Sequence, residues 1–141
     1  MRHLLALTIL ASMAGCQPRG EPTERCMTPH AKIAVEFASA LVDRDFAVAH
    51  SLLSPSLQRE LTPEGLREHL YGMFRLYAEG EPKRIHLDDQ FTLTNWPGKM
   101  PGDVGWVYVG IEGDDFVEAV TVIVAEVEGK HLIRHIEWGR P

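Results

Sequence analysis

From residue 28 onward, apolar positions recur first at helical and then at strand spacing. Thr28-Pro29 offers a hydroxyl to accept a free backbone N–H and a proline suited to the first helical position, so a helix is expected over residues 29–42. Ile33, Phe37 and Leu41 fall every four residues with Ala34, Ala38 and Ala40 beside them. That stripe is wide enough to be buried, and its small flanks let another layer approach closely. Asp43-Arg44-Asp45 ends this helix and opens a short second one with Phe46, Val48, Ala49, Leu52 and Leu53 as its apolar face; Ser54-Pro55 reads as its stop. A third helix starts at Thr62-Pro63-Glu64 and presents Leu66, Leu70, Met73, Phe74 and Tyr77 before Gly80 and Pro82 close it.

Strand pattern follows. Strands are expected over residues 84–87, with a further short one over 91–94, then over 104–111, 116–127 and 131–138. Asn95-Trp96-Pro97-Gly98 and Pro101-Gly102-Asp103 break the chain early in this region, while Gly113-Asp114-Asp115 and Glu128-Gly129-Lys130 are hairpin-sized turns. The last three strands should therefore form an antiparallel meander. Residues 116–127 would extend about 40 Å at 3.3 Å each, too long to stay flat, and are expected to bend around the helices. The fold class expected is α+β: three N-terminal helices packed on a curved antiparallel sheet of about four strands. The run AVEFASALVDRDFAVAHSLLSP, then LTPEGLREHLYGMF, then a meander ending in Ile136-Glu137-Trp138, resembles the nuclear transport factor 2-like superfamily. That resemblance covers residues 29–141 and implies a cone-shaped domain, the scaffold also of ketosteroid isomerases and polyketide cyclases. It rests on apolar patterning and carries no chemical signature.

A different pattern stands at the amino end. Arg2 precedes an apolar run over residues 4–10 and then small residues, the three-part form of an export signal. The run is too short for a permanent span of a bilayer core about 30 Å thick, which takes roughly 20 residues. Met13-Ala14-Gly15-Cys16 resembles the lipobox of bacterial lipoproteins, with methionine where leucine is usual. The resemblance implies cleavage after residue 15 and lipidation of Cys16, with fatty acyl groups such as palmitate anchoring the chain. Residues 1–15 are then a signal peptide, 16–28 the lipidated cysteine and a flexible tether, and 29–141 the domain. The tether holds Pro18, Pro22, Gly20 and several charges without an apolar period, and keeps the domain within roughly 40 Å of the bilayer. Gln17 stands where aspartate would signal inner-membrane retention in many such proteins, so the resemblance favours the outer membrane, facing the periplasm.

Composition narrows the partners. Fourteen Lys and Arg against 20 Asp and Glu leave a net charge of −6 over 141 residues, which argues against a nucleic-acid partner, since that needs a basic face. Two cysteines, one of them Cys16, leave Cys26 unpaired in the tether, so no disulfide framework is expected.

Candidate chemistry is sparse. General acid–base work in such a fold needs a carboxylate or histidine close to a hydrogen-bond donor. Asp88, Asp89 and His86 near the first strand, with Tyr71, Tyr77 and Tyr108 as donors, match no constellation of the isomerases or cyclases. Their bland reading is a solvated strand end and half-buried tyrosines. His131 and His135 would share a metal only on a helix; on a strand they stand about 13 Å apart. Arg134 is expected to pair with Glu118 or Glu126. Trp96, Trp106 and Trp138 either line a pocket or pack the core, and Trp106 should share a face with Val104 and Tyr108. No cofactor or metal is implied, and no catalytic residue is assigned. The reading favoured is a non-enzymatic, membrane-anchored envelope protein that binds a small apolar ligand or another envelope protein, with Tyr71, Phe74, Trp106 and Tyr108 as its pocket or partner surface. The alternative is a small cofactor-free isomerase or cyclase with a pocket in the cone. Apolar residues on both registers of 116–127 also suggest a homodimer formed through the sheet.

Overall fold

A computed structural model describes residues 27–77 and 80–140, with the side chains of residues 88–90 excepted. The lipobox with Cys16, and the tether up to and including Cys26, lie outside the described residues. Among the described residues four helices precede four strands: α1 (Pro29–Val42), α2 (Phe46–Ser51), α3 (Pro55–Glu60), α4 (Pro63–Phe74), β1 (Arg84–Leu93), β2 (Asp103–Glu112), β3 (Val117–Val127) and β4 (Lys130–Trp138). The fold is α+β, with the strands in a single antiparallel sheet of order β1-β2-β3-β4. Among the described residues no helix is long and apolar enough to cross a membrane.

The helix count corrects the sequence expectation. Ser54-Pro55 ends α2 and also begins α3: the Ser54 hydroxyl accepts from the Leu57 N–H, and Pro55 takes the first helical position. Thr28-Pro29 and Thr62-Pro63 start α1 and α4 in the same way. The two short strands expected near the beginning of the sheet are one strand, β1, whose pairing with β2 shifts between Leu87 and Thr92. In the β3–β4 turn, Glu128 and Gly129 both have positive φ, 50° and 75°, the requirement of a two-residue turn that follows strand twist.

The helices cover one face of the sheet, here the inner face. Ala34, Phe37, Ala38 and Leu41 of α1 and Leu66, Leu70 and Phe74 of α4 meet Val107, Val109 and Ile111 of β2, Val120, Val122 and Val124 of β3 and Ile133 of β4. Phe37, Leu41, Leu70 and Phe74 are each no more than 2% exposed. Between sheet and helices, the space in which the cone would hold a ligand is therefore occupied by the protein's own side chains. Such packing contributes through the apolar area removed from water and through close contact.

Two bulges set what the other face displays. Val104 in β2 and Arg134 in β4 are extra residues with no directly opposed partner in β3. The β4 bulge reverses the alternation that the sequence suggests. Ile133 is buried, Ile136 and Trp138 pack against the core, and His135 and Glu137 turn to the outer face, away from His131. Val104 packs against the core and does not join Trp106 and Tyr108.

Candidate functional site

The outer face is built in cross-strand rows. Leu93, Trp106, Ile123 and His135 stand side by side on β1, β2, β3 and β4. In the neighbouring row, Tyr108, Thr121 and Glu137 are in register, and the Phe91 ring lies 5.4 Å from that of Tyr108. Phe91 and Leu93 remain 49% and 38% exposed, and Val117 is 49% exposed on the same face. Aromatic and aliphatic groups thus occupy the β1–β2 side and titratable groups the β4 side.

A loop closes one end. The segment joining β1 to β2 brings Trp96 and Met100 beside Trp106, Ile123, Arg134 and Glu137, and together they bound an open cleft of about 300 Å³. What fixes this loop is an ion pair that the sequence reading missed. Arg134 donates from Nε and Nη2 to the two carboxylate oxygens of Asp103 at 2.6 and 2.7 Å, and the Met100 N–H donates to Asp103 at 2.8 Å. The Asp103 side chain is fully buried and that of Arg134 is 28% exposed. Burial pushes the Asp103 carboxyl up, but the hydrogen bonds from Arg134 and Met100, with the charges of Arg134 and Lys99, hold it below the ordinary aspartate range. The expected partners of Arg134, Glu118 and Glu126, are thereby corrected. Asp103 opposes Ala125 in β3, and Ala125 opposes Leu132 beside Arg134, so a methyl group is all that β3 places between the paired ions. The signal was Pro101-Gly102-Asp103, a turn that delivers a carboxylate at the first residue of a strand.

Glu118 has other partners. The Tyr77 hydroxyl donates to its Oε1 at 2.6 Å, and Arg140 Nε stands 3.8 Å from Oε2. The hydrogen bond to Glu118 chiefly raises the Tyr77 hydroxyl above its ordinary pKa. A carboxylate does face a tyrosine here, but the two are in direct contact and leave no room between them for a substrate.

The four residues expected to form one surface do not share one. Trp106 and Tyr108 stand on the outer face, whereas Phe74 is core, its ring 4.4 Å from that of Phe116, and Tyr71 lies on α4 with the Arg67 guanidinium 5.6 Å from its ring centre. Trp138 is also apart from the outer face: it touches Phe37 and stacks on His69 at 5.2 Å, beside a shallow depression of about 420 Å³ along α4. His86 is exposed on β1, and Asp88 and Asp89 belong to the same strand. Among the described residues no group of three or more His, Cys, Asp or Glu is placed to hold a metal ion. His131, opposite Glu126 in register, and His135, opposite Ile123, fall on different faces.

With this geometry in hand, comparison with known families, characterised proteins and solved structures finds no match for the chain.

Proposed function

We propose that this chain is a bacterial envelope lipoprotein, held by lipid on Cys16 to the outer membrane and facing the periplasm, whose domain is a nuclear transport factor 2-like cone that binds and does not catalyse. The observation that carries the binding reading is the contrast between the two faces of the sheet: the inner face is packed by Phe37, Leu41, Leu70 and Phe74, while the outer face leaves Phe91, Leu93 and Val117 exposed beside the half-buried rings of Trp106 and Tyr108. Exposed apolar side chains gathered on one face in this way support an interaction surface. Another envelope protein suits it better than a small apolar molecule, because the outer face is open and, among the described residues, core side chains fill the space between sheet and helices. The anchor rests on Met13-Ala14-Gly15-Cys16 and the export pattern before it. A cofactor-free isomerase would need a carboxylate and a donor separated by a substrate, and the pair that comes nearest, Glu118 and Tyr77, is engaged with itself.

Both halves are testable in cells. Radioactive palmitate should label the wild-type chain and not Cys16→Ala; an unlabelled wild type would remove the anchor. Detergent-solubilised wild type should migrate in a complex larger than the monomer of its mature chain, and Trp106→Glu or Phe91→Glu should release the monomer without lowering the melting temperature of the domain. A wild type that migrates only as monomer counts against a protein partner.

A further inference from the structure

The cleft between the Trp96–Met100 loop and β4 is a prepared site. Its loop wall is tied through Met100 to the buried Asp103 carboxylate, and the same carboxylate holds Arg134, so both sides are positioned before anything binds. Two indoles, those of Trp96 and Trp106, border it, and Glu137 stands at its far side with its side chain 55% exposed. Grooves lined by aromatic rings suit extended, proline-containing segments, and Glu137, with His135 3.7 Å from it and Arg134 also in the lining, is the carboxylate that a basic residue of such a segment would meet.

This chain contains such a segment close by. The first helical turn of α1 lies against the same end of the sheet as the cleft: an added Cβ at Gly105, next to Trp106, would stand 2.4 Å from the His30 ring. Residues 17–26 therefore join the described body at the end where the cleft opens, on the other side of the sheet. In a polyproline II conformation, at about 3.1 Å per residue, those ten residues extend about 31 Å, enough to round the sheet end and enter the cleft. That conformation has three residues per turn, so Arg19, Pro22 and Arg25 fall on one edge. We infer that residues 17–26 dock in this cleft, with Pro22 between the indoles of Trp96 and Trp106 and Arg19 reaching Glu137. The inference rests on the outer face being the binding surface. It adds that the tether occupies one end of that surface and that a partner must displace it.

The test uses the chain from residue 16 onward with Cys16→Ser, so that it stays in solution. Indole N–H resonances are recorded for the wild-type tether, for Pro22→Ala with Arg19→Ala, and for residues 17–25 replaced by Gly and Ser at equal length. All changes lie outside the packed domain. The resonances of Trp96 and Trp106 should shift in both variants while that of Trp138, stacked on His69, stays in place. Glu137→Gln should abolish the part of the shift due to Arg19. Unmoved Trp96 and Trp106 resonances overturn the docking, as does an equal movement of all three tryptophans. A concentration-dependent shift that persists in the Gly/Ser chain assigns the cleft to a second copy and likewise overturns it. Shifted indoles in a chain that forms no larger complex in cells would leave the docking standing and remove the partner.

Discussion

Gly105 is a glycine because His30 occupies the space where its side chain would be, the nearest ring atoms lying 2.4 and 2.5 Å from an added Cβ. Gly105→Ala should therefore cost about 1–3 kcal/mol by overpacking, and the cost should largely vanish in a His30→Ala background, a coupling that urea denaturation of the four-member cycle measures. The same histidine makes stability depend on pH. His30 is 8% exposed and its Nε2 has no hydrogen-bond partner. Burial chiefly, with the nearby charge of His131, lowers its pKa below the ordinary histidine value. The unfolded chain then binds a proton first as pH falls, so the contribution of neutral His30 is complete above about pH 6.5 and is lost progressively below it. Urea midpoints at pH 7.5 and 5.5 should differ less for His30→Leu than for the wild type. Asp103 titrates in a lower window: its depressed carboxyl pKa gives stability that is present above about pH 3.9 and lost as pH falls through the folded value. Arg134→Ala strands that buried carboxylate and should cost about 3 kcal/mol in the same assay; Trp96 fluorescence would report the released loop. None of this was legible in the sequence. Arg134 could be assigned a carboxylate only by guessing which strand residues face each other, and a bulge changes that answer.

Among the elements, the helix starts were the most readable feature and also misled once. Threonine or serine followed by proline caps α1, α3 and α4, and the middle instance was read as the stop of the preceding helix. Such a pair does both jobs, since proline cannot continue one helix but suits the first turn of the next. Ser54→Ala should cost about 1 kcal/mol through the lost cap, seen as a lower melting temperature with unchanged β signal by circular dichroism. The hydrogen bond from the Ser54 N–H to the Ile133 carbonyl, 2.7 Å, is made by backbone and should persist. The strands and the meander were likewise legible, because alternation and glycine turns are local. What alternation does not reveal is an inserted residue. In β4 the insertion at Arg134 puts His131 and His135 on opposite faces, and in β2 the one at Val104 parts that residue from Trp106. Each places on the outer face a side chain that an uninterrupted strand would turn inward, and the cleft beside Trp106 is the result.

Over the whole molecule, the apolar pattern of residues 29–138 accounts for helices gathered on one side of a sheet, but not for which side chains the other side displays. Tyr71 and Phe74 joined Trp106 and Tyr108 in the expected surface because aromatic residues carry no label for inside or outside; packing sends Phe74 to Phe116 and leaves Tyr108 beside Phe91. The filled interior and the apolar side chains left exposed on the outer face are a division that only the folded chain displays. On the proposed reading of a domain tethered by about a dozen residues, it would meet its partner sideways across the sheet, with the helices turned away. The most direct test places a photo-crosslinking amino acid at Tyr108 on the outer face or at Glu36 on the exposed side of α1, in cells making the full chain. Illumination should give a discrete adduct from position 108 and none from position 36. An adduct from position 36 alone, or none from either, would contradict the assignment of the outer face as the working surface.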